Sequence, residues 1–146
     1  MRRIVGAFFV ILMLASLSFA QKGNKKLLGT EMVPAGTPYS PGVLIGDTLY
    51  VSGLQGTDRQ THKLPREFAD EVKDSLDNVG LVLKEGGMGY DDVVSVTIYL
   101  VDMSQFQQVN DIYKTYFQSS FPTRTTLQVA KLSLGAHIEI AAVAKK

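Results

Sequence analysis

The chain predicts an α+β fold, a two-layer sandwich with one mixed sheet and two helices on one face. Three observations carry this. "GVLIGDTLYVSG" (42–53) is a hairpin signal. Two amphipathic helical stripes follow, each succeeded by a run rich in β-branched residues. The resulting order is hairpin, helix, strand, helix, strand, strand. At 146 residues, 45% apolar and 20% charged, the chain is long and apolar enough for one domain with a real core.

The first twenty residues, "MRRIVGAFFVILMLASLSFA", are set apart. Arg2 and Arg3 precede an apolar run from Ile4 to Ala15, and Ser18-Phe19-Ala20 has the small-x-small form of a cleavage site. This is the layout of a secretory signal peptide (1–20), which implies a periplasmic or secreted protein. The alternative is an uncleaved membrane anchor, for which the apolar run is short. Removing Arg2 and Arg3 with no acid takes the formal charge from +1 to −1. A near-neutral chain offers no basic stripe to a phosphate backbone.

Residues 21–28 are expected as a disordered linker, and 29–146 as the folded domain. Val33 to Gly42 is punctuated by Pro34, Gly36, Pro38 and Pro41 and reads as turns. In the hairpin, Val43-Leu44-Ile45 pairs with Leu49-Tyr50-Val51-Ser52 across Gly46-Asp47-Thr48; Gln55 to Pro65 reads as a loop. Phe68, Val72, Leu76, Val79 and Leu83 place one apolar stripe on a helix over 66–85, stopped by Gly86-Gly87. "DDVVSVTIYLVD" (91–102) is a buried strand. A second helix, capped by Ser104 and running to about Ser119, turns Phe106, Val109, Tyr113 and Phe117 inward. Strands over 123–130 and 136–144 complete the chain. Their apolar residues fall in both alternation phases, Ile138 and Ile140 against Ala141 and Val143. A sheet apolar on both faces with helices for only one calls for a partner, and self-association through the sheet is the simplest.

Several chemistries are excluded by inventory. No cysteine is present, so there is no disulfide, thiol nucleophile, thiolate metal site or lipidation site. Two histidines, His62 and His137, are too few for a histidine metal cluster and read as exposed or hydrogen-bonded side chains. "GGMG" at 86–89 follows a helix instead of opening one, so it is a helix stop and no phosphate loop. Glu71, Asp74 and Asp77, beside Lys73, read as a solvated helix face.

Three residues stand out against this background: Arg124 at a strand start in "FPTRTTLQVA", Glu139 in the last strand, and Tyr39 in the turn-rich segment. From spacing alone Arg124 either snorkels to solvent or awaits an anion, and Glu139 either faces outward or serves as a base. At this level the residues give an anion site and name no reaction.

Taken in order, "PAGTPYSPGV", "YVSG", "SLDNVGLVL", "VNDIYKTYF", "FPTRTTLQVAKL" and "IEIAAVA" resemble the YjgF-type (RidA-like) reactive intermediate deaminases over about 33–144. The resemblance implies a chorismate-mutase-like homotrimer with sheets facing inward and sites between subunits. It implies hydrolysis of enamines and imines such as 2-iminopropanoate to a 2-keto acid and ammonia, with no metal or organic cofactor. By residue match, Arg124 binds the substrate carboxylate and Glu139 orients or deprotonates water. Tyr39, Ser52, Gly53, Asn110 and Thr126 line the cleft. A planar guanidinium donating two parallel hydrogen bonds to a planar carboxylate suits that role, as a lysine does not. Thr126 stands where relatives often carry cysteine, Leu54 where "SGQ" is common, and Ala141 where many have a second acid; these bear on pocket shape. The competing readings are a non-catalytic carboxylate-binding module and an endoribonuclease. The latter is disfavoured by the near-neutral charge and the missing histidine pair.

Overall fold

A computed structural model describes residues 24–59 and 61–146. The signal reading (1–20) and the first linker residues (21–23) lie outside the described residues. Six strands form one sheet: β1 (Lys26–Leu28), β2 (Gly42–Ile45), β3 (Thr48–Gln55), β4 (Val93–Leu100), β5 (Thr123–Gln128) and β6 (Ile138–Lys145). Among the described residues the α-helices are α1 (Phe68–Glu85) and α2 (Phe106–Tyr116). The spatial order is β1-β2-β3-β6-β4-β5. All neighbours are antiparallel except β4 and β5, so the sheet is mixed.

The linker reading of 21–28 is corrected at its end. Lys26–Leu28 is a strand, with Lys26 opposite Leu44 and Leu28, fully buried, opposite Gly42. A three-residue edge strand with one inward side chain is too short to show an alternation.

The sheet has one covered face. Along β6, Ile138, Ile140, Ala142 and Ala144 are buried in the same cluster as Val72, Leu76, Val79 and Leu83 of α1 and Val109, Tyr113 and Phe117 at α2. Both helices thus serve one core, as the two apolar stripes require. On the other face of β6, Glu139, Ala141 and Val143 are only half-buried, and Tyr50, opposite Val143, is exposed. Among the described residues no helix is long and apolar enough to cross a membrane.

The helix ends depart from the sequence reading in instructive ways. Gly86-Gly87 does terminate α1. Gly87 is left-handed (φ 67), its N–H donates to Lys84 O, and Met88 N–H donates to Leu83 O. These two bonds are a Schellman cap, with Met88 folded into the core. The Ser104 cap is corrected: Asp102 is the capping residue, its carboxylate accepting from Ser104 N–H at 2.9 Å, and a single 3-10 turn (Met103–Gln105) precedes α2. The helix also stops at Tyr116 instead of about Ser119, because Phe117 leaves helical geometry (φ −107, ψ 86) while its ring stays buried.

Glu71 overturns the solvated-face reading. It is 1% exposed and lies beside the start of β6. Its carboxylate accepts from His137 N–H at 2.6 Å and Ile138 N–H at 3.2 Å, and sits 2.8 Å from His137 Nδ1. A buried carboxylate is tolerable when it takes up N–H groups that have no strand partner. Asp77 stays exposed and Asp74 half-buried, as a helix flank should be.

Aromatic rings close the end of the core between the helices. Tyr90 O–H donates to Leu76 O at 2.6 Å, its ring meets Phe117 edge-on at 5.1 Å, and Phe117 stacks on Tyr113 at 4.3 Å. Burial pushes the Tyr113 phenol up to about 12, opposed by the Arg124 charge beside it. The Tyr90 phenol is also raised, by burial first.

Two outcomes follow from this architecture. Glu71→Leu keeps volume but orphans two backbone donors at the β6 start; we expect a loss of about 2–4 kcal/mol in urea denaturation, and a loss below ~0.5 kcal/mol would refute the role. A raised folded-state pKa stabilises fully below the unfolded value, and that contribution disappears as pH rises through the folded one. Stability should therefore fall between pH 10 and about 12, and Tyr113→Phe should shallow that fall in a pH series of the same denaturation.

Candidate functional site

The site is built from two structures on the chain, one around Glu139 and one around Arg124. The first begins with a bulge. Between Val51, opposite Ala142, and Leu54, opposite Ile140, β3 carries one residue more than β6. The bulged residues are Ser52 and Gly53. Ser52 N–H donates to Pro41 O at 2.8 Å, which ties the turn segment carrying Tyr39 to the bulge. Gly53 lies so close to the neighbouring strand that a Cβ there would stand 2.1 Å from Glu139 Oε1. Only glycine leaves room for the carboxylate in this position.

Glu139 is held from one side. Gln55 Nε2 donates to Glu139 Oε2 at 3.0 Å and also to Ser133 Oγ at 2.7 Å. The other carboxylate oxygen points toward Gly53, into a cavity of about 520 Å³ lined by Tyr39, Ser52, Gly53, Gln55, Asn78 and Glu139. His62 (φ 54) and Leu134 (φ 56), the non-glycine residues in left-handed geometry among those described, also line it. Backbone strain of this kind concentrates at functional sites.

The second structure lies on edge strand β5. Arg124 pairs with Val96, a core residue, so its side chain leaves the sheet on the helix-covered side. There Nη2 donates to Asn110 Oδ1 at 2.7 Å. The guanidinium carbon stands 4.9 Å from the Tyr113 ring centre and 5.5 Å from that of Phe106. Arg124, Asn110, Tyr113, Phe121 and Pro122 line a cavity of about 450 Å³. This is a strand residue half-buried against a helix and aromatic rings, with most of its N–H groups unspent.

Of the residues singled out in the sequence, the fold therefore gathers Tyr39, Ser52, Gly53 and Glu139 in one place and Asn110 and Arg124 in another. Within one chain the two groups do not meet. Glu139 pairs with Tyr99 and Arg124 with Val96, three positions apart along β4 and on opposite sides of it. With two strand spacings between them, the Cα atoms are about 14 Å apart. Thr126, opposite Ile98, sits one turn of the strand alternation beyond Arg124. Asn110, expected to line the cleft, accepts the Arg124 Nη2–H with its Oδ1 beside the second cavity. The sequence reading missed Gln55, which alternation from Gly53 would have placed beside Glu139. It assigned Phe106 and Tyr113 to the core without seeing that they also touch the guanidinium. Among the described residues there is no group of three or more His, Cys, Asp or Glu arranged to hold a metal ion.

Comparisons with known proteins agree with this frame. Residues 30–146 match the family model described as Endoribonuclease L-PSP. The chain is 44% identical to the 2-iminobutanoate/2-iminopropanoate deaminase of Bos taurus over 122 residues, 82% of this chain and 89% of that protein. It is 40% identical to the chloroplastic Reactive Intermediate Deaminase A of Arabidopsis thaliana over 133 residues, 89% of this chain and 71% of that protein. The crystal structure of Escherichia coli TdcF with bound serine superposes with a TM-score of 0.78 at 32% identity, covering 83% of this chain and 98% of that one. The chain belongs to the Endoribonuclease L-PSP family, the YjgF/RidA-like proteins that include the reactive intermediate deaminases.

Proposed function

We propose that this protein hydrolyses small 2-imino acids to 2-keto acids and ammonia, at sites formed between subunits of a homotrimer. The observation that carries the reading is the division of the site. A positioned guanidinium and a positioned carboxylate are each complete, each opens on a cavity, and each lacks the other within the chain. The bare sheet face, with exposed Tyr50 and half-buried Ala141 and Val143, is where copies would meet. Arg124 lies on the covered side of edge strand β5, so a copy that set its bare face against that edge would bring its Glu139 group to this Arg124 group. Relatives carry the deaminase name, and the TdcF structure holds serine, an amino acid with the same carboxylate to be gripped.

In this reading Arg124 binds the substrate carboxylate through two parallel N–H groups. The 2-imino carbon is then presented to a water held by Glu139. Water oxygen bonds to C2 as Glu139 accepts a proton, giving a tetrahedral carbinolamine. Glu139 returns that proton to the nitrogen, and transfer of the carbinolamine's hydroxyl proton to nitrogen then accompanies C–N cleavage and C=O formation, giving the keto acid and ammonia. Gln55 keeps one carboxylate oxygen of Glu139 occupied, so the oxygen facing Gly53 is the one that takes the proton. Tyr39, 53% exposed at the cleft mouth, is placed to close over the ligand. RNA cleavage, which the family's description names, finds less support: His62 lines the cleft alone and His137 is bound to Glu71, so no histidine pair forms.

Ammonia release from 2-iminopropanoate, generated in situ, tests the reading. We expect Arg124→Ala and Glu139→Gln to fall to the uncatalysed rate, and wild type indistinguishable from buffer would end the proposal. Co-refolding equal amounts of these two inactive variants should restore up to about a quarter of wild-type sites if each site draws on two subunits, and none if it draws on one. Gly53→Ala should displace the Glu139 carboxylate and lower kcat about a hundredfold. Its stability should change by less than ~1 kcal/mol, because what must move is the end of a side chain.

A further inference from the structure

We propose that Phe106 and Tyr113 of α2 are positioning residues for Arg124. Together with Asn110 they form a three-sided cradle that sets the plane of the guanidinium and offers a single edge of it to a carboxylate. The inference deepens the deaminase reading and rests on it for the identity of the anion.

The three side chains stand at i, i+4 and i+7 of one helix, so they share a face. Two aromatic rings meet the cation, at 4.9 and 5.5 Å, both within cation–π range. Tyr113 is itself immobilised: it is 3% exposed and stacked on Phe117 with the planes 21° apart. The path from the core to the charge is thus rigid, from Phe117 to Tyr113 to Arg124. The Tyr113 hydroxyl has no hydrogen-bond partner among the described residues. What this residue contributes at Arg124 is therefore its ring.

Asn110 supplies the selection. A guanidinium has two edges that can clasp a carboxylate, one from Nη1 and Nη2 and one from Nε and Nη2. Nη2 carries two N–H groups, one for each edge. Asn110 Oδ1 takes one of them at 2.7 Å, so one edge remains whole and the other is reduced to a single donor. The rings stop the guanidinium from rotating to exchange the two. The bound carboxylate then approaches along one direction, which fixes where C2 of the substrate lies. Desolvation by the rings also strengthens the remaining N–H groups as donors without altering the charge, since arginine stays protonated.

The test is steady-state keto-acid release from 2-iminopropanoate by the full chain and its Phe106→Leu, Tyr113→Leu, Tyr113→Phe and Arg124→Ala variants. Calorimetric binding of the product, pyruvate, is measured alongside. A loosened cradle weakens the grip on the carboxylate and frees C2 from its fixed place, so both Leu variants should raise KM about tenfold and lower kcat about tenfold. Tyr113→Phe should restore the wild-type KM. Pyruvate should bind wild type and Tyr113→Phe alike, both Leu variants about tenfold more weakly, and Arg124→Ala not measurably. Phe106 is only partly buried, so its Leu variant keeps the test alive if Tyr113→Leu does not fold. Wild-type KM and pyruvate affinity in both Leu variants, with Arg124→Ala inactive, would overturn the cradle and leave the deaminase reading standing. Tyr113→Phe as impaired as Tyr113→Leu would overturn it in favour of the hydroxyl. Absence of deaminase activity in wild type would remove the deaminase reading, while the pyruvate series would still decide the cradle.

Discussion

Everything in this molecule depends on where β6 lies. It is the last strand in the chain, yet it occupies the centre of the sheet, between β3 from the N-terminal hairpin and β4 from the first helix–strand unit. Without it the chain holds a three-stranded ribbon on one side and a parallel pair on the other, each with an open edge. With it, one face of six strands becomes continuous and both helices have a common surface to cover. The Glu71 carboxylate secures that placement at the strand's first residues, taking up backbone N–H groups that neither neighbouring strand reaches.

The same central position explains the chemistry available to Glu139. It sits one residue into β6, on the side away from the helices, where a solvent-exposed acid would ordinarily swing freely. Three features of neighbouring β3 restrain it. The bulge brings Gly53 against it, the missing Cβ makes space for its carboxylate, and Gln55 holds one oxygen. Arg124 is restrained by a different principle. Its strand is an edge with one partner, so the helix above does the positioning, through one hydrogen bond and two rings. Guanidinium and carboxylate thus belong to opposite faces of one sheet. The sheet's uncovered side leaves exposed Tyr50 and half-buried Ala141 and Val143 with no helix above them.

The sequence carried most of the fold because its signals are local. The hairpin, the two stripes, the glycine stop of α1 and the β-branched run of β4 each announce themselves within a window of a dozen residues. Its misreadings share a cause. Glu71 is an acid on a helix beside Asp70, Asp74 and Asp77, and periodicity cannot say that this one faces two N–H groups 66 and 67 residues away. Lys26–Leu28 is too short to alternate. Ser104 and Asp102 are both good caps by type, and only backbone geometry chooses between them.

By itself, then, the sequence determined the class of fold, the absence of thiol chemistry and the residue types from which a carboxylate site can be made. Local periodicity and inventory suffice for those. Tertiary structure alone decided that Glu139 and Arg124 stand on opposite faces about 14 Å apart, that Asn110 hydrogen-bonds the arginine, that Gln55 holds Glu139, and that Tyr113 faces the guanidinium. Each of these is a contact between residues distant in the chain or a choice between two faces of a sheet. Such contacts are set by strand register and by which helix covers which strand, and no stretch of neighbouring residues encodes them.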